Sequence, residues 1–73
     1  MIRLEREYVF GDTLKYIMQQ SGMSQYQLAH LSGLSESTIS KYINGESHPN
    51  YVSILALAKA LGVPPQVLFM ELE

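Results

Sequence analysis

The stretch that decides the fold runs Ser24-Gln25-Tyr26-Gln27-Leu28-Ala29-His30-Leu31-Ser32-Gly33-Leu34-Ser35-Glu36-Ser37-Thr38-Ile39-Ser40-Lys41-Tyr42-Ile43-Asn44-Gly45. Ser24 is followed three residues later by Gln27, the spacing of a capping box. In that motif the serine oxygen accepts from a free helix amide and the glutamine side chain accepts from the serine amide. Met23 ahead of the cap and Leu28 beyond it are spaced to close as a hydrophobic staple. The same grammar returns after Gly33: Ser35 is a cap, and Leu34 and Ile39 are spaced to staple. Gly33 lies between the two units, where a side chain would strain a left-handed backbone. Ala29 leaves room for close approach, Ile39 points back toward it, and Leu28 and Leu34 fill the angle. The pattern predicts two short helices crossing steeply over a tight turn.

Working outward, the first helix is expected over about Tyr8 to Gln20. Phe10, Leu14, Ile17, Met18 and Ser21 recur on one face at helical spacing, and Gly22 ends the helix. The second runs from the Ser24 cap to Leu31 or Ser32, and the third from Glu36 to about Asn44, with Gly45 behind it. Asn50 caps a fourth helix, Tyr51 to about Leu61, whose stripe reads Tyr51, Ile54, Leu55, Ala58 and Leu61, and Gly62 terminates it. Pro64 and Pro65 suit the start of a helix, so a fifth is expected over about Pro65 to Leu72. No alternating stretch is long enough for a strand. The expected fold is all-α, a compact five-helix domain. The chain is read as one domain over residues 1–73, with 1–8 as an N-terminal arm and 9–73 as the helical core.

The 73 residues contain no cysteine, so neither a disulfide framework nor a thiolate metal site is available. No apolar run approaches a bilayer span, and residues 1–7 lack the apolar block of a signal peptide. A cytoplasmic protein is expected, with no membrane partner. Apolar residues make up 47% and charged residues 16% of the chain, a balance suited to a packed core and not to disorder. Five basic residues face seven acidic ones, a net charge of −2. Attraction to any polyanion therefore depends on how the few cations are placed, and its salt dependence should be shallow.

The sequence resembles the lambda-repressor-like helix-turn-helix family, also called the Cro/repressor or xenobiotic-response-element type. The resemblance runs from about Phe10 to Phe69. It is carried by Phe10-Gly11 with Leu14, Gly22-Met23-Ser24-Gln25, Leu28-Ala29, Gly33-Leu34-Ser35, Thr38-Ile39-Ser40, Asn44-Gly45, Pro49 and Leu57-Ala58-Lys59-Ala60-Leu61-Gly62-Val63. It implies sequence-specific DNA binding by a transcriptional regulator, expected to repress, with the third helix in the major groove. It also implies a phosphate contact from Gln25. Many relatives hold a partly buried ion pair at the positions of Met18 and Ile43. Here both are apolar, an exchange that is often neutral or stabilising, and the two are expected to be buried against each other.

A helical wheel of the third helix gives a separate check. Ile39, Tyr42 and Ile43 share one side. Ser37, Ser40, Lys41 and Asn44 share the other, with Glu36 and Thr38 at its margins. The outward side is short and polar, as close approach to base edges requires: lysine donates to guanine O6 or N7, serine serves either role, and glutamate accepts from cytosine N4. Free amides at the helix starts near Gln25 and Glu36 attract phosphate without a cation. The Asn44 amide and the Ser47 hydroxyl add donors. The expected DNA-binding set is thus Gln25, Ser35, Glu36, Ser37, Thr38, Ser40, Lys41, Asn44 and Ser47.

Other chemistries find little support. Ser24, Ser35 and Asn50 read as caps, and no His and Asp accompany a serine as a triad would need. His30 and His48 stand alone, as surface residues more than metal ligands. Lys15 and Lys59 read as solvated charges, and Tyr16, Tyr42 and Tyr51 as core or half-core. No catalysis, cofactor, metal or small-molecule substrate is expected. The partners expected are double-stranded DNA, at a near-palindromic operator, and a second copy of the chain. On the fifth helix Leu68, Phe69 and Leu72 are expected to face the core. That leaves Val67 and Met70, with Ile2 and Leu4, to form an apolar dimer interface. The rival reading is a protein-interaction or antitoxin-like module on the same fold, favoured by the net charge and the single lysine on the third helix.

Overall fold

The computed structural model describes residues 9–69. Four α-helices follow one another: α1 (Val9–Ser21), α2 (Gln25–Ser32), α3 (Glu36–Ile43) and α4 (Tyr51–Leu61). A five-residue 3-10 segment, Pro65–Phe69, closes the described chain. The cap readings agree with the structure. Ser24, Ser35 and Asn50 have extended backbones, and each side chain accepts from the amide three residues on. Gly33 and Gly62 take the left-handed conformation, with φ of 79° and 74°.

The core is built from Leu14, Ile17 and Met18 of α1, Leu28 and Ala29 of α2, Ile39 and Tyr42 of α3, Ile54, Leu57, Ala58 and Leu61 of α4, and Leu68. Phe10, Met23, Leu34, Ile43 and Val67 pack on it while partly exposed. The α2 helix packs on α3 and α4, and α1 packs on α3, α4 and the 3-10 segment. The Met18 and Ile43 positions thus join one apolar cluster, Met18 buried and Ile43 half-buried. No buried side-chain nitrogen or oxygen among the described residues is left without a partner.

Five expectations need correction. The fifth α-helix is a 3-10 segment: neither proline supplies an amide donor, and Val67 N–H bonds the Pro64 carbonyl at 3.0 Å, a three-residue closure. The winding re-aims its side chains. A 3-10 helix advances about 120° per residue where an α-helix advances about 100°, which carries Phe69 about 80° further round from Pro65. Phe69 is accordingly 60% exposed, and Val67, expected to face water, packs on the core. On α4, Leu57 is fully buried and replaces Leu55 in the stripe. Ile54, Leu57, Ala58 and Leu61 then keep i, i+3, i+4, i+7 spacing, whereas Leu55 falls on the flank and Tyr51 precedes the packed turns. Tyr51 and Tyr16 are exposed, and only Tyr42 of the three tyrosines is core. Ser21, placed on the α1 stripe, is exposed.

Candidate nucleic-acid interface

The two ends of α3 are held differently. At its start the Ser35 hydroxyl accepts from the Thr38 amide at 3.0 Å and donates to Thr38 Oγ1 at 2.9 Å. The Glu36 and Ser37 amides have no intrahelical acceptor, as the first amides of any helix do not.

At its end α3 meets α1. A Cβ placed on Gly11 would lie 2.6 Å from the Tyr42 carbonyl oxygen and 2.7 Å from that of Ile43. Only glycine allows the first turn of α1 to lie against those carbonyls. The Phe10 ring meets the Tyr42 ring edge-on, with centroids 5.9 Å apart and planes at 84°. Beyond the helix, Glu46 N–H bonds the Lys41 carbonyl at 2.8 Å, with Gly45 left-handed at φ 77°. That closure is a Schellman-type end.

Ile39 and Tyr42 point inward, so the opposite side of α3 is left to solvent. Ser37, Lys41 and Asn44 are exposed at i, i+4 and i+7 and form one stripe, with Ser40 half-buried at its edge. Glu36 is exposed at the start of the helix and Thr38 is half-buried. Gln25 is exposed in the first turn of α2. There the capping box takes up the Ser24 and Gln27 amides, at 2.9 Å and 3.1 Å, and leaves those of Gln25 and Tyr26 open. Ser47 is half-buried in the loop after α3. Of the expected interface residues, Val67 faces the core, and Ile2, Leu4 and Met70 lie outside the described residues.

Charge is more evenly spread here than the whole-chain figure suggests. Residues 9–69 contain three lysines and three carboxylates, so the net −2 comes from the flanking residues, with Glu71 and Glu73 at the C-terminus. Among the described residues none of these six groups forms an ion pair. Lys41, on the polar stripe of α3, thus has no ion-pair partner among the described residues. No cluster of His, Asp or Glu suited to a metal occurs among the described residues, and no described helix is long and apolar enough to cross a membrane.

Sequence reading missed the role of Gly11, which it noted only as part of a family pattern. A signal was present: a glycine inside an otherwise apolar-periodic helix marks a close backbone approach or pays for its poor helix propensity with nothing.

A tight α2–Gly33–α3 pair with a polar outward stripe is the arrangement of a DNA-reading helix-turn-helix, and family comparison agrees. The family described as Helix-turn-helix matches residues 14–68, and the chain belongs to it, in the lambda-repressor-like class. It is a DNA-binding transcriptional regulator. Among solved structures it is similar to the restriction-modification controller protein C.AhdI from Aeromonas hydrophila. The two are 38% identical with a TM-score of 0.83, over 86% of this chain and 96% of that one. No curated protein matches its sequence.

Proposed function

We propose that this regulator reads a near-palindromic operator as a homodimer in the cytoplasm, with α3 of each copy in the major groove, and that it acts by occupancy without catalysis. The observation that carries this reading is the α3 stripe of Ser37, Lys41 and Asn44, with at its centre a lysine that pairs with no described residue. The open amides at the start of α2 suit a backbone phosphate, which positions without reading sequence. Gln25, Glu36, Ser40 and Ser47 complete the candidate contact set. Ser35 and Thr38 serve it by holding the start of α3. The likeness to a restriction-modification controller makes genes of such a system the first regulated targets to examine.

Dimerisation is ascribed to the C-terminal end of the domain. Phe69 takes the place expected for Val67 as the exposed apolar residue of the 3-10 segment, and Met70, Ile2 and Leu4 remain further candidates from the sequence. Two copies related by a two-fold axis match a palindromic site.

The test is selection of bound fragments from a random duplex library, followed by sedimentation of wild type and Phe69→Glu. A motif with two-fold symmetry and a dimer weakened by Phe69→Glu are expected. A chain that enriches no motif, and instead binds another protein through α3, would establish the interaction-module reading.

A further inference from the structure

We propose that Asn44 is a site of spontaneous modification: its side-chain amide is lost to attack by Gly45, and the aspartate and isoaspartate that result, on the outward stripe of α3, release the protein from its operator. The chemistry stands on the Asn44–Gly45 pair itself, and its consequence rests on the DNA-reading function above. Three observations carry it. Asn44 is exposed, and its side chain makes no hydrogen bond among the described residues. The residue that follows, Gly45, has no Cβ to obstruct approach by its own amide nitrogen. The chain's other asparagine, Asn50, is protected on both counts: its side-chain oxygen accepts from the Ser53 amide at 2.8 Å, and the bulky Tyr51 follows it. A helix-ending role accounts for Gly45, left-handed at φ 77°, but asks nothing of the Asn44 side chain.

The reaction balances with water as its only co-reactant. The Gly45 amide nitrogen, giving up its proton, forms a bond to Asn44 Cγ. The Cγ–Nδ2 bond breaks, and Nδ2 leaves with that proton as ammonia. Water then opens the cyclic imide, giving aspartate where the new bond breaks and isoaspartate where the original peptide bond breaks. In the closed structure Asn44 has ψ of −1°, which aligns the Gly45 nitrogen with the residue's own amide nitrogen and away from Cγ. Ring closure therefore needs the last turn to open. Two hydrogen bonds resist that opening, Gly45 N–H to the Tyr42 carbonyl at 3.2 Å and Glu46 N–H to the Lys41 carbonyl at 2.8 Å. Such exposed ends open locally at far less cost than the whole fold. The carboxylate produced lies three residues from Lys41 on the same stripe, where it competes with DNA for the lysine. Residues 9–69 carry three lysines against three carboxylates, so a fourth carboxylate turns their balance negative.

The experiment ages wild type and Asn44→Gln in mildly alkaline buffer, with wild type also aged on the duplex that it selects. Peptide mass mapping follows Asn44 and Asn50 separately, and a methyltransferase specific for isoaspartate identifies that product. Converted protein is separated by charge, then titrated on the selected duplex and melted beside its own fresh sample. Asn44 should convert while Asn50 stays intact. The converted protein should bind the selected duplex roughly ten- to a hundredfold more weakly. Fresh Asn44→Asp should already show that weakened binding. Asn44→Gln, whose longer side chain must close a larger ring, should keep its own fresh affinity on ageing. The selected duplex should slow conversion, because it covers the stripe. Conversion at Asn44 no faster than at Asn50 would overturn the chemistry. Converted protein that binds as the fresh sample does, or weakens only in step with its melting, would overturn the consequence, as would a duplex that leaves the rate unchanged. A wild-type chain that enriches no motif at all would break the parent reading instead, and peptide mapping would still decide the chemistry.

Discussion

The start and the end of α3 show two ways of fixing one helix. Its start is held by a hydrogen-bonded cap made by Ser35 and Thr38, three residues apart, at the solvent-exposed edge of the domain. Its end is held by a residue more than thirty positions away, Gly11, whose missing side chain admits α1 against the Tyr42 and Ile43 carbonyls. A cap of the first kind forms wherever its few residues occur, and typically contributes about 1 kcal/mol. The second kind exists only in the folded chain, and its disruption propagates into packing, since interiors respond even to single methylenes. The difference teaches that the pitch and exposure of the reading stripe are set at one end by local chemistry and at the other by the tertiary fold.

The largest effect is expected from Gly11→Ala. Overpacking typically costs about 1–3 kcal/mol, and backbone carbonyls cannot turn aside as a side chain would. A net loss of about 2–3 kcal/mol is expected despite alanine's better helix propensity, with melting lowered by about 4–8 °C per kcal/mol in a domain of this size. A variant that melts within a degree of wild type would show that close approach does not hold this end.

Next in size is Lys41→Ala, which touches the stripe but neither support. It should leave melting unchanged and weaken binding to the selected duplex by about 1–3 kcal/mol. Gln25→Ala should weaken selected and random duplexes alike. Should Lys41→Ala bind the selected duplex as wild type does, the stripe is not the reading surface.

Ser35→Ala sharpens the other side of the contrast. Loss of the cap should cost about 1 kcal/mol of stability and, by fraying the start of α3, lower specific binding in parallel. Ser24→Ala is its control: a similar stability loss is expected on α2, with the α3 stripe undisturbed. Equal binding defects in the two variants would mean that the start of α3 has no special standing.

The smallest effect is expected from Phe10→Leu. It keeps apolar bulk on the core but removes the edge-on ring contact with Tyr42, a geometry worth about 0.5–1.5 kcal/mol beyond buried area. Denaturant unfolding of Phe10→Leu, Gly11→Ala and the pair should be non-additive, because adjacent groups on one contact couple. Strict additivity would place Phe10 outside the support that Gly11 provides.

Legibility followed the range of the interactions involved. The α2–α3 unit was readable because its caps, its turn glycine and its inward residues lie within a few positions of one another. The start of α4 was readable for the same reason, Asn50 accepting from the Ser53 amide at 2.8 Å. Its burial was read less well. Leu55 and Leu57 are equally apolar, and the packing of α1, α2 and the 3-10 segment decides which of them is covered. The C-terminal segment failed for a local reason: paired prolines permit a helix start but do not choose between α and 3-10 closure, and that choice exchanged the places of Val67 and Phe69. Within the candidate site, the exposure of Ser37, Lys41 and Asn44 followed from the helical wheel. The Ser35–Thr38 hydroxyl pair did not, since it depends on two rotamers.

By itself, then, the sequence determined where the helices of the reading unit begin and turn, because capping oxygens and left-handed glycines act over three or four residues of one backbone. It also determined the polar side of α3, because a 3.6-residue repeat sorts side chains without reference to neighbours. Tertiary structure alone decided that Gly11 is a contact and not a flaw in α1, and that Leu57 and not Leu55 is core. Each of these depends on which surface another element covers, and burial is a property of two surfaces brought together.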